Sequence, residues 1–276
     1  MFALESFFLA SPNSKRPIAL TIAGSDPGGG AGLQADLKTF AALSVYGYSV
    51  LTQVIAQNSS RVLDVEPVSA AMVVAQLETV VAECPPGALK TGALTSFKIV
   101  KAVALAFEHL KLPPPVVDPV ILSSSGAQLL EPKGTRALRK HLIPLARIVT
   151  PNIPEAEALT GIQIDTDAAL REAARKFIKM GARAVVIKGG HRKDDTSSSD
   201  LFLDHRRFVV LEAERIPGDG AHGTGCAFSA AIAAYLARGE NLEASVRGAK
   251  RYVTTALRHS FRLGKGRAIL DHFARD

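Results

Sequence analysis

Tryptophan is absent from this 276-residue chain, methionine occurs three times, and cysteine only twice, as Cys84 and Cys226. Two thiols cannot form a disulfide framework, which points to a reducing compartment, the cytoplasm. No His/Cys spacing suits zinc. No apolar run approaches the ~20 residues of a membrane span, so no membrane partner is expected. The opening "MFALESFFLASPNSKRP" is mildly apolar, but Glu5 interrupts it and no basic residue precedes it. Residues 1–16 therefore read as a disordered tail rather than a signal sequence. Aromatic residues make up 6% and no recognition module is legible, so a nucleic-acid partner is not expected despite the net charge of +7. Much of that excess follows Arg238, with nine Lys/Arg against four Asp/Glu, and reads as a solvated helix face that would also suit an anionic substrate.

What the chain does have is a core, with 47% apolar and 21% charged residues. Apolar runs of strand length alternate with helical patterns: "IALTIAG" before "GLQADLKTFAALS", "SVLTQVIAQN" before "SAAMVVAQLETVVAEC", "ALKTG" before "SFKIVKAVALAFEHL". "PPVVDPVI" and "RIVTPN" read as further strands around the helix "GTRALRKHLIPLA". Two helical patterns then lead to the strand "AVVIKGG", and "DLFLD" with "RFVVLEA" reads as an antiparallel pair. Unalternated Val/Ile/Leu runs imply strands buried on both faces, joined by right-handed crossovers. The expected fold is one three-layer α/β domain over residues 17–276, a central mostly parallel sheet flanked by helices.

In such a sheet ligands bind at the carboxyl ends of the strands. The residues just past each strand are Gly24, Ser25 and Asp26; Gln57 and Asn58; Lys90, Thr91 and Gly92; Asp118; Asn152 and Glu155; and Lys188 with Gly189. Polar groups at nearly every strand end exceed what a core needs. The glycine run 28–32 has neither Walker A chemistry nor G-x-G-x-x-G spacing, so it is either a turn or a close backbone approach to a ligand. Glu155, three residues after Asn152 and next to Pro154, either serves a helix N-terminus or binds a metal. Oxygen ligands near a phosphate site suit Mg²⁺. In "HGTGC" (222–226) a glycine-rich turn opens a helix, so unpaired amides form an anion site, and Cys226 there is expected to have a lowered pKa.

"ALTIAGSDPGGGAGLQADLKTFAALSVYG", "VIAQNS", "LKTG", "VVDPV", "SSSG", "TPNIPEAEAL", "VIKGGH" and "HGTGC" occur in this order across roughly residues 18–265. Together they closely resemble the hydroxymethylpyrimidine/phosphomethylpyrimidine kinases of thiamine biosynthesis, in the ribokinase-like superfamily. That resemblance implies a Rossmann-like fold, usually dimeric. It also implies MgATP-dependent phosphorylation of 4-amino-5-hydroxymethyl-2-methylpyrimidine to its monophosphate and then to the diphosphate. By the same resemblance Gly24, Asp36, Gln57, Ala93 and Val120 surround the pyrimidine, while Asp118 and Glu155 hold Mg²⁺. Asn152 and Lys188 meet ATP, and the backbone of Gly223, Thr224, Gly225 and Cys226 forms the anion hole, with the Cys226 thiol in the place of the proton-accepting Asp of related sugar kinases.

Two features depart from the family pattern. Ala93 follows "KTG" where methionine is usual, which enlarges the pocket and makes pyridoxal an alternative substrate. "LGKGRAILDHF" replaces the usual Gly-His-Gly-Pro segment near the C-terminus. A non-catalytic pyrimidine sensor is the third alternative; Asp118, Glu155 and Cys226 argue against it. "SSRVLDV" and "LSSSG" are the candidate lids.

Overall fold

The computed structural model describes residues 16–123, 126, 128–189, 197–205, 207–218 and 220–275. Residues 1–15, the middle of "SSSG" and the stretch 190–196 lie outside them. Among the described residues one nine-stranded sheet organises the chain. It starts with β1 (Ile18–Ser25), α1 (Gly32–Ala42), β2 (Tyr46–Gln57), β3 (Val62–Pro67), α2 (Ala70–Glu83), β4 (Ala88–Thr91) and α3 (Phe97–His109). Then come β5 (Val116–Val117), α4 (Pro132–Ala137), β6 (Ile148–Val149), α5 (Ile153–Thr160), α6 (Asp167–Lys179) and β7 (Ala184–Ile187). The last part holds β8 (Ser197–Asp204), β9 (Phe208–Glu214), β10 (Ala221–His222), α7 (Thr224–Ala237), α8 (Leu242–Arg258) and β11 (Ala268–Ile269). The strand order is β3-β2-β1-β4-β5-β6-β7-β8-β9, parallel from β2 through β7 and antiparallel at both edges.

Successive side chains of a strand point to opposite faces, and here both faces are covered. Val117, Val149 and Val185 pack among the residues of α2, α3, α5 and α6, whereas their neighbours Val116, Ile148 and Ala184 pack against α7 and α8; all six are fully buried. That is why these strands show no alternation in sequence. Helix α7 is apolar all round and rich in alanine, so it sits in the middle of its layer, touching α1, α8 and the sheet.

The antiparallel pair β8/β9 matches the sequence reading. Three features differ from it. The strands expected over "PPVVDPVI" and "RIVTPN" pair through only two residues each. The helix expected through Ala146 loosens after Ala137 into a wider turn over Leu138–Leu142 and a tight one over Ile143–Leu145, where Pro144 removes a donor. Part of the candidate lid "SSRVLDV" is the edge strand β3, whose exposed Asp64 and Glu66 blunt the edge.

Candidate active site

A cavity of about 730 Å³ opens along the carboxyl ends of the strands. Gly24, Gln57, Ala93 and Val120 line one part, and Asp118, Asn152, Glu155, Lys188 and Gly223–Cys226 line the next. The lining continues past Ser198 and Asp200 to Ile216, Lys250, Val253 and Leu257. Its size and length suit two ligands end to end.

The anion pocket is built by α7. Gly223 precedes the helix with φ 83°, and a Cβ there would lie 1.8 Å from the carbonyl oxygen of Gly30, so only glycine fits. No side chain caps this helix, and the Thr224 hydroxyl donates backward to the Ala221 carbonyl at 2.7 Å. The first amides of α7 therefore face the cavity with the positive end of the helix dipole behind them. Lys188 lies alongside, its Nζ 3.2 Å from Asp118 Oδ1. Asp118 also accepts from Thr150 and Ser229, each at 3.1 Å, and is thereby fixed in place.

Glu155 serves the helix N-terminus and also reaches the cavity. Its Oε2 accepts from the Asn152 amide at 2.9 Å while Asn152 Oδ1 accepts from the Glu155 amide at 2.8 Å, a reciprocal cap on α5. The carboxyl still lines the cavity. Burial pushes its pKa up to about 7, the Asp118 charge adds to the shift, and Lys188 opposes it.

The expectation of a lowered thiol pKa does not hold. Burial pushes the Cys226 thiol up to about 11, more than the Lys90 charge can offset. Asp36 is also placed differently: it is fully buried behind the wall and does not line the cavity. Lys90 Nζ lies 2.7 Å from both of its oxygens and the Thr21 hydroxyl donates to it at 2.6 Å. Burial favours a neutral Lys90, but Asp36 outweighs it and raises the ammonium pKa to about 12. Lys90 itself lines the cavity, so the carboxylate acts on the site through the lysine.

Asp26 was named only as one of the polar groups at the strand ends, and its pairing with His222 was not expected. The Asp26 carboxylate accepts from the amides of Gly28 (3.0 Å), Gly30 (3.1 Å) and Ala31 (2.8 Å), and His222 Nε2 lies 3.0 Å from its Oδ2. Burial works against the charge, yet these contacts hold the carboxyl below its usual value. One side chain thus folds the glycine run and ties it to the strand entering the anion pocket. An Asp two residues before Gly-Gly-Gly is the local signal for the loop; nothing local marks the partner.

Phosphate is the anion such a helix start takes, and a parallel sheet presenting that pocket beside a substrate compartment is the architecture of ribokinase-like kinases of small molecules. The family model described as phosphomethylpyrimidine kinase matches residues 26–271. The chain belongs to that family. It is 46% identical over 257 residues to the hydroxymethylpyrimidine/phosphomethylpyrimidine kinase of Synechococcus elongatus, covering 93% of this chain and 97% of that one. The structure of Bacillus subtilis pyridoxal kinase with ADP is similar at a TM-score of 0.87 and 38% identity, covering 94% of this chain and 98% of that one. A phosphomethylpyrimidine kinase from Clostridium difficile is similar at 0.76 and 39%, covering 86% and 97%.

Proposed function

We propose that the chain transfers the γ-phosphoryl group of ATP to 4-amino-5-hydroxymethyl-2-methylpyrimidine and then to the resulting monophosphate, giving the diphosphate used in thiamine diphosphate biosynthesis. The observation that carries this reading is the single cavity in which the amide pocket of α7 and Lys188 adjoin a compartment walled by Gly24, Gln57, Ala93 and Val120. In this reading Gln57 and the apolar wall orient the ring. Asn152 and Lys188 hold the nucleotide phosphates, and the amides of Gly223–Cys226 take up charge on the transferring group.

Asp118 and Glu155 fit Mg²⁺, which takes one or two carboxylates and completes its shell with phosphates and water. Bound there, Mg²⁺ would neutralise phosphate charge. The Cys226 thiol is protonated at neutral pH and stands by the acceptor hydroxyl as a neutral, weakly polar group. The hydroxyl keeps its proton until transfer is advanced, as a loose phosphoryl transition state permits.

Incubation with MgATP and the pyrimidine, followed by mass, is expected to give monophosphate and then diphosphate; no product would refute the reading. Ala93 supports pyridoxal as a second acceptor, because the small side chain leaves room beside the ring. Ala93→Met is expected to lower kcat/KM for pyridoxal relative to the pyrimidine about 10- to 200-fold, and equal loss on both would remove this second reading. A homodimer is proposed as well: Val54, Leu63 and Met72 on β2, β3 and α2 are more than half exposed, and light scattering should give twice the chain mass.

A further inference from the structure

The segment "GKGRAIL" (264–270), one of the two departures from the family pattern named in the sequence reading, forms a strap across the cavity mouth. Ala268 and Ile269 of β11 pair in parallel with Ala221 and His222 of β10, the strand that runs into Gly223. At its other side the Arg267 amide reaches the Ser59 carbonyl at 3.4 Å, two residues past Gln57, and a Cβ on Gly266 would come 1.8 Å from Ser59 Oγ. The backbone of Arg267 is thus held between the turn that follows Gln57 and the approach to the anion pocket. Its side chain lines the cavity.

The lysines of that wall are neutralised: Lys90 by Asp36 at 2.7 Å, Lys188 by Asp118 at 3.2 Å and Lys250 by Asp200 at 2.7 Å. Among the described residues the Arg267 guanidinium has neither hydrogen bond nor ion pair. An uncompensated cation at this mouth calls for an anion, and the nucleotide phosphates already have the α7 amides and Lys188. The two acceptors differ in the property that matters. The alcohol brings no charge to the mouth, whereas the monoester brings a phosphate that must point toward the transferring group. A guanidinium meets such a phosphate through two parallel N–H donors.

We propose that Arg267 binds the phosphate of the monoester acceptor and so favours the second phosphorylation over the first. The inference rests on the bifunctional reading above. It is tested by steady-state kinetics of Arg267→Gln and Arg267→Lys with each acceptor, and by calorimetric binding of the monophosphate to ATP-free protein. Arg267→Gln is expected to lower the monoester-to-alcohol ratio of kcat/KM about ten- to hundredfold through KM, with a matching loss of monophosphate binding; Lys restores part. Equal losses on both acceptors, a raised KM for ATP, or no change would each overturn the assignment while leaving the bifunctional reading intact. A wild-type protein that makes no diphosphate would overturn that reading and the inference with it.

Discussion

A thiol in the first turn of α7 meets two opposed influences. Helix dipole and amides favour the thiolate, but enclosure by protein disfavours any charge there, and for Cys226 enclosure prevails, with a pKa near 11. In Cys84→Ser protein, which leaves Cys226 as the one thiol, alkylation by iodoacetamide should be slow at pH 7 and rise steeply only toward pH 11. Fast alkylation at pH 7 would contradict the protonated resting state. Lys90 shows the same competition settled the other way, because the Asp36 carboxylate lies 2.7 Å from its ammonium, while burial still raises the pKa of Asp36 itself. Neutralising Asp36 would strand a buried ammonium, at a cost of about 3–5 kcal/mol.

Between elements, the glycine run, β10 and β11 are held as one unit. Asp26 organises the first, binds the second through His222, and Ile269 of the third lies so near Gly30 that a Cβ on that glycine would come within 2.9 Å of its side chain. Asp26→Asn turns an NH2 donor toward the amide donors and leaves amides unpaired, so about 1–3 kcal/mol of stability should be lost. As the anion pocket shifts, kcat should fall at least tenfold while pyrimidine binding changes less. Stability loss without a kcat effect would make the clamp purely structural. The partners in these pairs were not visible locally. His222 lies 196 residues from Asp26, and Lys90 lies 54 from Asp36, so no window of sequence contains either pair. The strands β5–β7 were legible because both faces are buried and every residue is apolar. Strand β3 was not, since its charges read as a loop, and β10 and β11 are two residues each, too short for any period.

For the whole molecule, His272 sets an acid limit. It sits between Thr39 of α1 and Tyr252 of α8, with Nδ1 3.2 and 3.3 Å from their hydroxyls and Nε2 buried without a partner among the described residues. Burial lowers its pKa from 6.5 to about 4. Above pH 6.5 the ring is neutral folded or unfolded. As pH falls from 6.5 to 4 the unfolded chain gains a proton that the folded one refuses, so about 1–3 kcal/mol of stability is lost across that window. Denaturant midpoints of His272→Phe should fall less steeply there than those of the wild type; parallel slopes would exclude this histidine as the cause. The strap containing Ile269 carries a different consequence. The pocket needs residues from Gly24 to Ile269, and chains fold from the N-terminus as they are made. On the ribosome the sheet can assemble early, but the glycine run lacks its contact with Ile269 until that residue leaves the exit tunnel. The nascent polypeptide is therefore catalytically silent up to that moment.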